Sequence, residues 1–455
     1  MHSFHIRRVA VLGAGVMGAQ IAAHLVNARI PVTLFDLPTE VGHDPSAIAR
    51  KAIAGLSKMK PAPLGRAADA SLIQAANYND DLAALGACDL VIEAIAERLD
   101  WKHGLYEKIA PHLSAHAILA SNTSGLSISA LGAPLPDELA SRFCGVHFFN
   151  PPRYMALVEL IATPRTDPRV VDQLESFVTT SLGKSAIRAK DTPNFIANRI
   201  GSAGLLSTFV EAERYGLTCD VVDDLTGKSL GRASSGTFRT ADVVGLDTLG
   251  HVIHTLQTQL DASKDPFYPH FETPPALKRL IEKGHLGQKV KKGFYKKVGR
   301  DILRYDLASD DYVPGGNKAD AVYSRMLKRA PAERLRLLRE SSGAEGQFLW
   351  AILRNGFHYA ALHLAQIAHT ARDVDACMRL GFAHKQGPFE LWQSAGWQQV
   401  AEWVQADIDA GKALCGTPLP DWVFNGPVAD AGGVYTPEGS WNPETGAFER
   451  PHVLP

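Results

Sequence analysis

Short apolar runs alternate with amphipathic stretches from residue 7 to about residue 190. The runs are rich in β-branched and aliphatic side chains, which suits strands that are buried on both faces of a parallel sheet. They comprise residues Val9–Leu12, Val32–Phe35, Leu90–Ile92 and Ile118–Ala120. Because helical patterns lie between these runs, residues 1–190 are predicted to form an α/β domain built from βαβ units.

The pattern changes at Asp191-Thr192-Pro193, after which longer helical stretches follow. A stretch from Asp224 through Gly236-Thr237-Phe238 recurs as Asp375 through Gly387-Pro388-Phe389, and an amphipathic helix precedes each copy. This similarity predicts a mainly α-helical, duplicated C-terminal part. The predicted segments are a first helical domain at 191–300, a connector at 301–345, a second helical repeat at 346–410 and an extended tail at 411–455.

Composition narrows the possible partners. The 47 basic and 48 acidic residues leave a formal charge of -1, so neither nucleic acid nor an anionic membrane is predicted as a partner. No run reaches the roughly 18 to 20 apolar residues of a membrane-spanning helix, and the N-terminal apolar run is interpreted as a core strand rather than a signal peptide. The five cysteines are scattered without a CxxC pair, which predicts no metal site and a reducing, cytoplasmic location.

A glycine-rich turn directly follows the first predicted strand. It reads Gly13-Ala14-Gly15-Val16-Met17-Gly18 and opens a predicted helix. Glycines permit the tight turn and the approach of a pyrophosphate to the helix N-terminus. Asp36 ends the next strand, where a carboxylate can bond the adenosine ribose and repel the 2′-phosphate of NADP. Residues 1–190 are therefore predicted to be a Rossmann-type domain that binds NAD through Gly13, Gly15, Val16, Met17, Gly18 and Asp36.

Four further motifs follow in order behind the glycine turn. They are Ser121-Asn122-Thr123-Ser124, His147-Phe148-Phe149-Asn150-Pro151-Pro152, Val158-Glu159-Leu160 and Asp191-Thr192-Pro193-Asn194-Phe195-Ile196-Ala197-Asn198-Arg199. In this combination the chain resembles the 3-hydroxyacyl-CoA dehydrogenase family, closely over residues 7 to about 300 and more loosely to about 405. The resemblance implies NAD-dependent oxidation of a (3S)-hydroxyacyl-CoA to a 3-ketoacyl-CoA in fatty-acid β-oxidation.

Two of these residues form a candidate acid–base pair. His147 follows the apolar run 143–146, which predicts a strand end facing the cleft, and Glu159 lies on the next short strand across the Asn150-Pro151-Pro152 turn. An imidazole can take the hydroxyl proton while the hydride leaves for the cofactor. A carboxylate on the other ring nitrogen would orient the ring and stabilise the imidazolium.

The resemblance also implies roles for other residues, carried over position by position. Ser124 is expected to bond the substrate C3 oxygen, Asn198 to bond near the reacting carbonyl, and Asn150 to help polarise the thioester; capping of turns is the alternative for Ser124 and Asn198. The nicotinamide end of the cofactor is expected to contact Glu97, Lys102 and Asn122, and Lys289 is expected to reach it from the helical domain. The CoA moiety is expected to contact Lys51, Lys58 and Lys60, and for these charged residues a solvated surface position is the alternative.

The duplicated helical part resembles the dehydrogenase part of multifunctional fatty-acid oxidation proteins. The second copy is expected to replace a dimer partner, giving a monomer, with a homodimer as the alternative. A fused or separate enoyl-CoA hydratase is a possible partner. Two other functions remain open. One is a β-hydroxyacid dehydrogenase acting on a free acid, although its catalytic lysine is absent four residues before Asn198. The other is a catalytically silent structural relative.

Overall fold

A computed structural model describes residues 5–39 and 44–454. The first four residues of the predicted sheet domain and Pro455 of the predicted tail therefore lie outside the described residues. The chain packs as two compact units. The first extends to Phe195 and includes the residues from His452 onward, and the second is Ile196–Pro451.

The first unit is built on an eight-stranded sheet with the order β3-β2-β1-β4-β5-β6-β7-β8. The strands are β1 (Val9–Leu12), β2 (Val32–Asp36), β3 (Ile73–Asn77), β4 (Leu90–Glu93), β5 (Ile118–Ser121), β6 (Phe143–Phe148), β7 (Leu157–Ile161) and β8 (Ser185–Ala189). All neighbouring strands run parallel except β6 and β7. The predicted α/β class and the four predicted strands are thereby confirmed.

Helices cover this sheet. They are α1 (Val16–Asn27), α2 (Ala47–Gly55), α3 (Leu99–Ile109), α4 (Ile128–Gly132), α5 (Asp137–Ala140) and α6 (Pro168–Ser176). The core joins the apolar face of α1 to the strands, with Ile21 and Leu25 against Val9 and Val11. Because β1 pairs with both β2 and β4, the chain reverses its strand order there, and a crevice opens at the carboxyl ends of these strands.

The second unit contains two similar helical repeats. The first comprises α7 (Ala197–Arg214), α8 (Cys219–Thr226), α9 (Phe238–Val244), α10 (Leu246–Gln259), α11 (Pro275–Glu282), β9 (Tyr295–Val298), β10 (Asp301–Asp306) and β11 (Asp311–Pro314). Next come α12 (Ala321–Leu327) and α13 (Pro331–Glu340). The second repeat comprises α14 (Ala344–Ile367), α15 (Ala371–Phe382), α16 (Pro388–Ser394), α17 (Trp397–Asp409), α18 (Pro427–Ala431), β12 (Tyr435–Thr436), β13 (Gly439–Asn442) and β14 (Ala447–Glu449).

An aspartate marks the same turn in both repeats, half-buried in the first copy and fully buried in the second. The Asp223 carboxylate accepts backbone N–H bonds at the start of α9, and Asp375 does the same at the start of α16. Each also accepts the hydroxyl of a tyrosine that begins a strand, Tyr295 or Tyr435. The sequence had matched Asp224 to Asp375, and this match is corrected to Asp223, because the loop of the first copy is one residue longer.

The predicted segment boundaries differ from these units in three places. Residues 191–195 stay with the sheet unit, because the Asp191 carboxylate accepts the N–H groups of Ile128 and Ser129 at the start of α4. The predicted connector begins with β10 and β11, which complete the hairpin that starts at β9. The predicted tail contains α18 and the sheet β12-β13-β14. Short strands with turn residues between them carry little periodicity, so the sequence pattern did not predict them.

Among the residues that the structure describes, no helix combines the length and the apolar content needed to span a bilayer. The same residues contain no cluster of three or more side chains arranged to bind a metal ion.

Candidate active site

The candidate acid–base pair lies on the antiparallel hairpin of the sheet. The register of β6 and β7 places His147 directly opposite Glu159, and His147 Nδ1 lies 2.8 Å from Glu159 Oε2. Both side chains are buried, with 3% of His147 and none of Glu159 exposed. The structure brings the two predicted residues together, and their acid–base role stays a prediction. Since a carboxylate can only accept, Nδ1 carries the proton in the neutral ring and leaves Nε2 as the basic nitrogen.

Aromatic rings fix the imidazole from its sides. The ring centroids of Phe149 and Phe195 lie 4.4 Å and 5.6 Å from that of His147. Phe195 belongs to the Asp191-Thr192-Pro193 segment, in which Asn194 and Phe195 both adopt positive φ values of 61° and 52°. Non-glycine residues rarely take this conformation, and it tends to occur where a side chain must be held at a site. The segment therefore positions a ring against the histidine.

Glu97 organises the turn that follows β5. Its carboxylate accepts the Thr123 hydroxyl at 2.7 Å and the Ser124 backbone N–H at 2.8 Å. The Ser124 hydroxyl is half-buried and has no hydrogen-bond partner among the described residues. Glu97 is thus bound to the serine turn, which leaves the Ser124 hydroxyl available to a ligand.

A second carboxylate, which sequence reasoning missed, lies beneath this turn. Glu93 ends β4, is fully buried, and accepts Lys102 Nζ at 2.6 Å. It also accepts the hydroxyls of Tyr106 at 2.8 Å and Ser121 at 2.7 Å. Burial, together with the neighbouring Glu93 charge, raises the pKa of Tyr106 well above its usual value. A charged residue at the end of a buried strand was the sequence signal that could have identified it.

Lys102 was predicted to line the nicotinamide end of the cofactor. Its side chain is only 1% exposed and its ammonium group is paired with Glu93, with Glu97 Oε2 at 3.9 Å. Lys102 therefore holds two carboxylates in place in this structure, and its contact with the cofactor stays a prediction.

Two asparagines follow β5 and β6, the strand of His147 and its neighbour. Asn122 follows β5, and its Oδ1 accepts the backbone N–H of Phe148, the residue after His147, at 2.9 Å. Asn150 follows β6, and its Oδ1 accepts the side-chain amide of Gln20 on α1 at 3.1 Å. These bonds tie the predicted asparagines to the histidine strand and to the helix of the glycine turn.

The glycine turn borders a cavity of about 740 Å³ at the carboxyl ends of β1, β2 and β4. Gly13 has φ +103° and a Cβ there would lie 2.7 Å from the Ala94 carbonyl oxygen, while a Cβ on Gly18 would collide with the Gly13 carbonyl. A Cβ on Gly15 would meet nothing within 4 Å. Val16 is 63% exposed, and the half-buried Met17 packs against the core of the sheet unit. The backbone at Gly15 is therefore open to a ligand.

The N-terminus of α1 fits a pyrophosphate. No side chain caps it, and its first turn carries no acidic residue, so its N–H groups and positive dipole end remain available to an anion. Asp36 borders the same cavity, and its carboxylate is oriented by the N–H groups of Ala14 and Leu37, both at 2.6 Å. The glycines, the uncapped helix and the carboxylate together match the groups of a dinucleotide.

Two aromatic residues of this cavity were not predicted. Tyr78 follows β3 and is buried, its ring stacks on Phe35, and its hydroxyl has no hydrogen-bond partner among the described residues. Burial raises the pKa of Tyr78 above its usual value. Trp101 on α3 is 53% exposed, and Arg98 lies over its ring. Lone aromatic residues give no spacing signal, so only the fold brings them to the cavity.

The remaining predicted site residues lie on other parts of the chain. Asn198 lies half-buried in the first turn of α7, in the second unit. Lys289 is in that unit too, and its ammonium group is paired with Asp247. The lysines predicted to contact CoA, namely Lys51, Lys58 and Lys60, are exposed in and after α2 and form no ion pair with any residue that the structure describes.

Comparison with known proteins matches these features to one family. Residues 8–192 match the model of the 3-hydroxyacyl-CoA dehydrogenase NAD-binding domain, and residues 195–297 match the C-terminal domain model of the same family. A Bacillus subtilis protein named "Probable 3-hydroxyacyl-CoA dehydrogenase" is 37% identical over 93% of this chain, which spans 54% of that relative. One of the same name from Deinococcus radiodurans is 43% identical, with 66% of this chain and 85% of the relative covered.

A solved structure matches both helical repeats as well as the sheet unit. The crystal structure of 3-hydroxybutyryl-CoA dehydrogenase from Escherichia coli K12 has a TM-score of 0.65 and 23% identity, covering 90% of this chain and 95% of the other. At this level of identity, the likeness concerns the fold alone.

Proposed function

This chain belongs to the 3-hydroxyacyl-CoA dehydrogenase family, and we propose that it oxidises the 3-hydroxyl of a (3S)-hydroxyacyl-CoA to a ketone with NAD as the oxidant. The observation that carries the proposal is the 2.8 Å contact between His147 Nδ1 and Glu159 Oε2, on strands β6 and β7 of the sheet that also carries the glycine turn. The pair supplies a base, and the cavity beside the glycine turn suits the cofactor.

His147 is the proposed general base. Nδ1 donates to Glu159, so Nε2 can take the proton of the substrate hydroxyl, and the buried carboxylate then stabilises the imidazolium. When bound, NAD would accept the hydride that leaves C3 of the substrate. Since Phe149 and Phe195 hold the ring, little reorientation is needed as the proton moves.

Several polar groups are proposed to bind the substrate. The Ser124 hydroxyl, held in place by the bond from its backbone to Glu97, is suited to the C3 oxygen. Asn150 is proposed to polarise the thioester and Asn198 to bond near the reacting carbonyl. The exposed lysines 51, 58 and 60 are proposed to attract the phosphates of CoA.

Cofactor contacts are proposed for the glycine turn at its open backbone, for Asp36 at the ribose, and for Glu97, Lys102, Asn122 and Lys289 toward the nicotinamide. The free state of all five cysteines fits a reducing, cytoplasmic location. An enoyl-CoA hydratase, which adds water to an enoyl-CoA, would supply the substrate in fatty-acid β-oxidation and is proposed as a fused or separate partner.

The test is NADH oxidation with acetoacetyl-CoA, compared with acetoacetate as the free acid. We expect turnover of the thioester, and His147→Gln and Glu159→Gln should lower kcat by about 10² to 10⁴-fold. The dissociation constant of NADH, measured by fluorescence, should stay within about twofold in both variants, since the base contributes nothing to uniform binding. His112→Gln, at an exposed histidine of the same unit, is the matched control.

Three outcomes would contradict the proposal. Unchanged turnover in His147→Gln would reject the base. Turnover of the free acid alone would favour a β-hydroxyacid dehydrogenase. NADH binding by a wild-type chain that turns over neither substrate would favour a silent structural relative.

A further inference from the structure

The first turn of α7 carries a buried arginine next to a proposed substrate residue. Arg199 is fully buried, directly after Asn198. Its Nε donates to the Tyr359 hydroxyl at 2.6 Å, and its Nη2 donates to Asp265 Oδ2 at 3.0 Å and to Gln366 Oε1 at 3.3 Å. Two of these three partners, Tyr359 and Gln366, lie on α14, so the second repeat binds the start of α7.

The partners of Arg199 also bind one another. The Tyr359 hydroxyl donates to Asp265 Oδ2 at 2.8 Å. His363 lies one turn further along α14, with Nε2 at 3.3 Å from Asp265 Oδ1 and Nδ1 at 3.1 Å from Gln366 Oε1. A buried charge whose partner is removed is strongly destabilised, so this network holds the Arg199 guanidinium in one place.

A separate, apolar contact lies near the same end of α7. A Cβ on Gly201 would lie 2.1 Å from the ring of Phe382, at the end of α15. The ring therefore lies directly on the helix backbone, two residues after Arg199. Two helices of the second repeat thus contact the start of α7 from different directions, α14 at Arg199 and α15 at Gly201.

Asn198 differs from its neighbours in this turn. Its side chain is half-buried and forms no hydrogen bond with any described residue, so its amide is available to a ligand. We propose that the second repeat is part of the catalytic apparatus, in which Tyr359 and His363 are positioning residues that hold Arg199 and thereby set Asn198. This inference rests on the proposed function. It assigns the second repeat a role in positioning the reaction, in addition to packing.

The middle of α7 offers a matched control. There, Asn355 Nδ2 on α14 donates to the Ser207 hydroxyl at 3.0 Å and to Glu211 Oε1 at 2.8 Å. This contact joins the same two helices through buried polar groups, but it lies two turns away from Asn198. Ser207→Ala therefore removes a repeat–repeat bond without touching the turn that carries Asn198.

The experiment measures kcat with acetoacetyl-CoA and NADH, per NADH-binding site, in the full chain. Tyr359→Phe and His363→Ala should lower kcat about tenfold or more, since small displacements of a reacting group cost that much. KM and the NADH dissociation constant should stay within about twofold, because Asn198 is proposed to act in the transition state. His363→Gln, whose side-chain amide can still donate a hydrogen bond, should recover part of the rate, and Ser207→Ala should keep wild-type kcat.

A double-mutant cycle provides the sharpest readout. In an Asn198→Ala background, Tyr359→Phe should have almost no further effect on kcat, because the two changes act through one group. Independent multiplication of the two effects, or an equal loss of kcat in Ser207→Ala, would overturn the inference. Absence of turnover by the wild-type chain would instead refute the proposed function, and the inference with it. Wild-type turnover with unaffected Tyr359 and His363 variants would refute the inference alone.

Discussion

The two helical repeats share one turn but differ in what they expose. In the first, the Asp223 carboxylate and the Tyr295 hydroxyl join α8, α9 and β9; in the second, Asp375 and Tyr435 join α15, α16 and β12. The scaffold of the turn is therefore the same in both copies, since the same bonds satisfy the same helix N-terminus.

The packing around this turn differs between the two copies. Phe238 on α9 and Phe389 on α16 are both buried, but Val243 and Val244 at the end of α9 are 60% and 56% exposed, and α16 adds the completely buried Trp392. Trp392 stacks on Trp397 with ring centroids 4.2 Å apart, and further tryptophans continue the cluster. The two copies therefore share a turn but pack differently around it. The first copy leaves two valines exposed, and the second packs its turn against a buried aromatic cluster.

The largest expected effect comes from removing a tryptophan from the buried aromatic cluster of the second repeat. Trp392→Ala should cost about 3–5 kcal/mol of unfolding free energy, because it removes a buried ring and leaves a cavity. Val243→Ala in the first copy should change stability by less than about 0.5 kcal/mol, since the side chain is mostly exposed. Urea denaturation followed by tryptophan fluorescence and circular dichroism measures both. A loss below about 1 kcal/mol in Trp392→Ala would show that the second copy is no sealed core.

A smaller effect tests whether the two turns are equivalent. A Cβ on Gly387 would lie 2.2 Å from Asp375 Oδ1, and one on Gly236, which has φ +72°, would lie 2.6 Å from the Asp223 Cα. Each glycine-to-alanine change should therefore cost about 1–3 kcal/mol.

The controls for this pair are helical glycines with open surroundings, Gly356 in α14 and Gly204 in α7. Alanine at either should stabilise by roughly 0.5–1 kcal/mol. Thermal unfolding measures all four variants, and a loss at one turn without a loss at the other would break the equivalence.

The smallest expected difference between the two turns is in their pH dependence. Burial raises the pKa of Asp223 to about 6 and that of Asp375 to about 7, above an unfolded value of 3.8. A raised carboxyl pKa contributes stability that is complete below pH 3.8 and is lost as pH rises through the folded-state pKa. The stability advantage of wild type over Asp375→Asn should therefore fall until about pH 7, and that over Asp223→Asn only until about pH 6.

Since one pKa unit corresponds to about 1.4 kcal/mol, the stability advantage over Asp375→Asn should fall by about that amount more than the advantage over Asp223→Asn as pH rises. Urea denaturation of the three proteins from pH 4 to pH 8 tests this. An advantage that rises with pH in either pair would contradict the expected sign.

Most features of the sheet unit were predicted from its apolar runs and its sequence motifs. The apolar runs and the Gly13–Gly18 turn are local patterns, so they predicted the strands, the NAD-binding domain and the family. His147 and Glu159 were found because one hairpin brings them together, and a short connection is visible in sequence. In contrast, the spacing of Glu93 and Lys102 in the sequence did not indicate that they form a buried ion pair.

The sequence by itself determined the α/β class, the duplication and the pairing of His147 with Glu159, because each depends on residues near one another in the chain. Tertiary structure alone decided which aspartate marks the first repeat, that the tail forms a sheet, and that Tyr359 and His363 reach Arg199. The short strands of the tail and the longer loop of the first aspartate turn carry no periodic pattern, and the bonds around Arg199 join residues far apart in the chain. Such contacts are set by how helices pack, and no local periodicity records them.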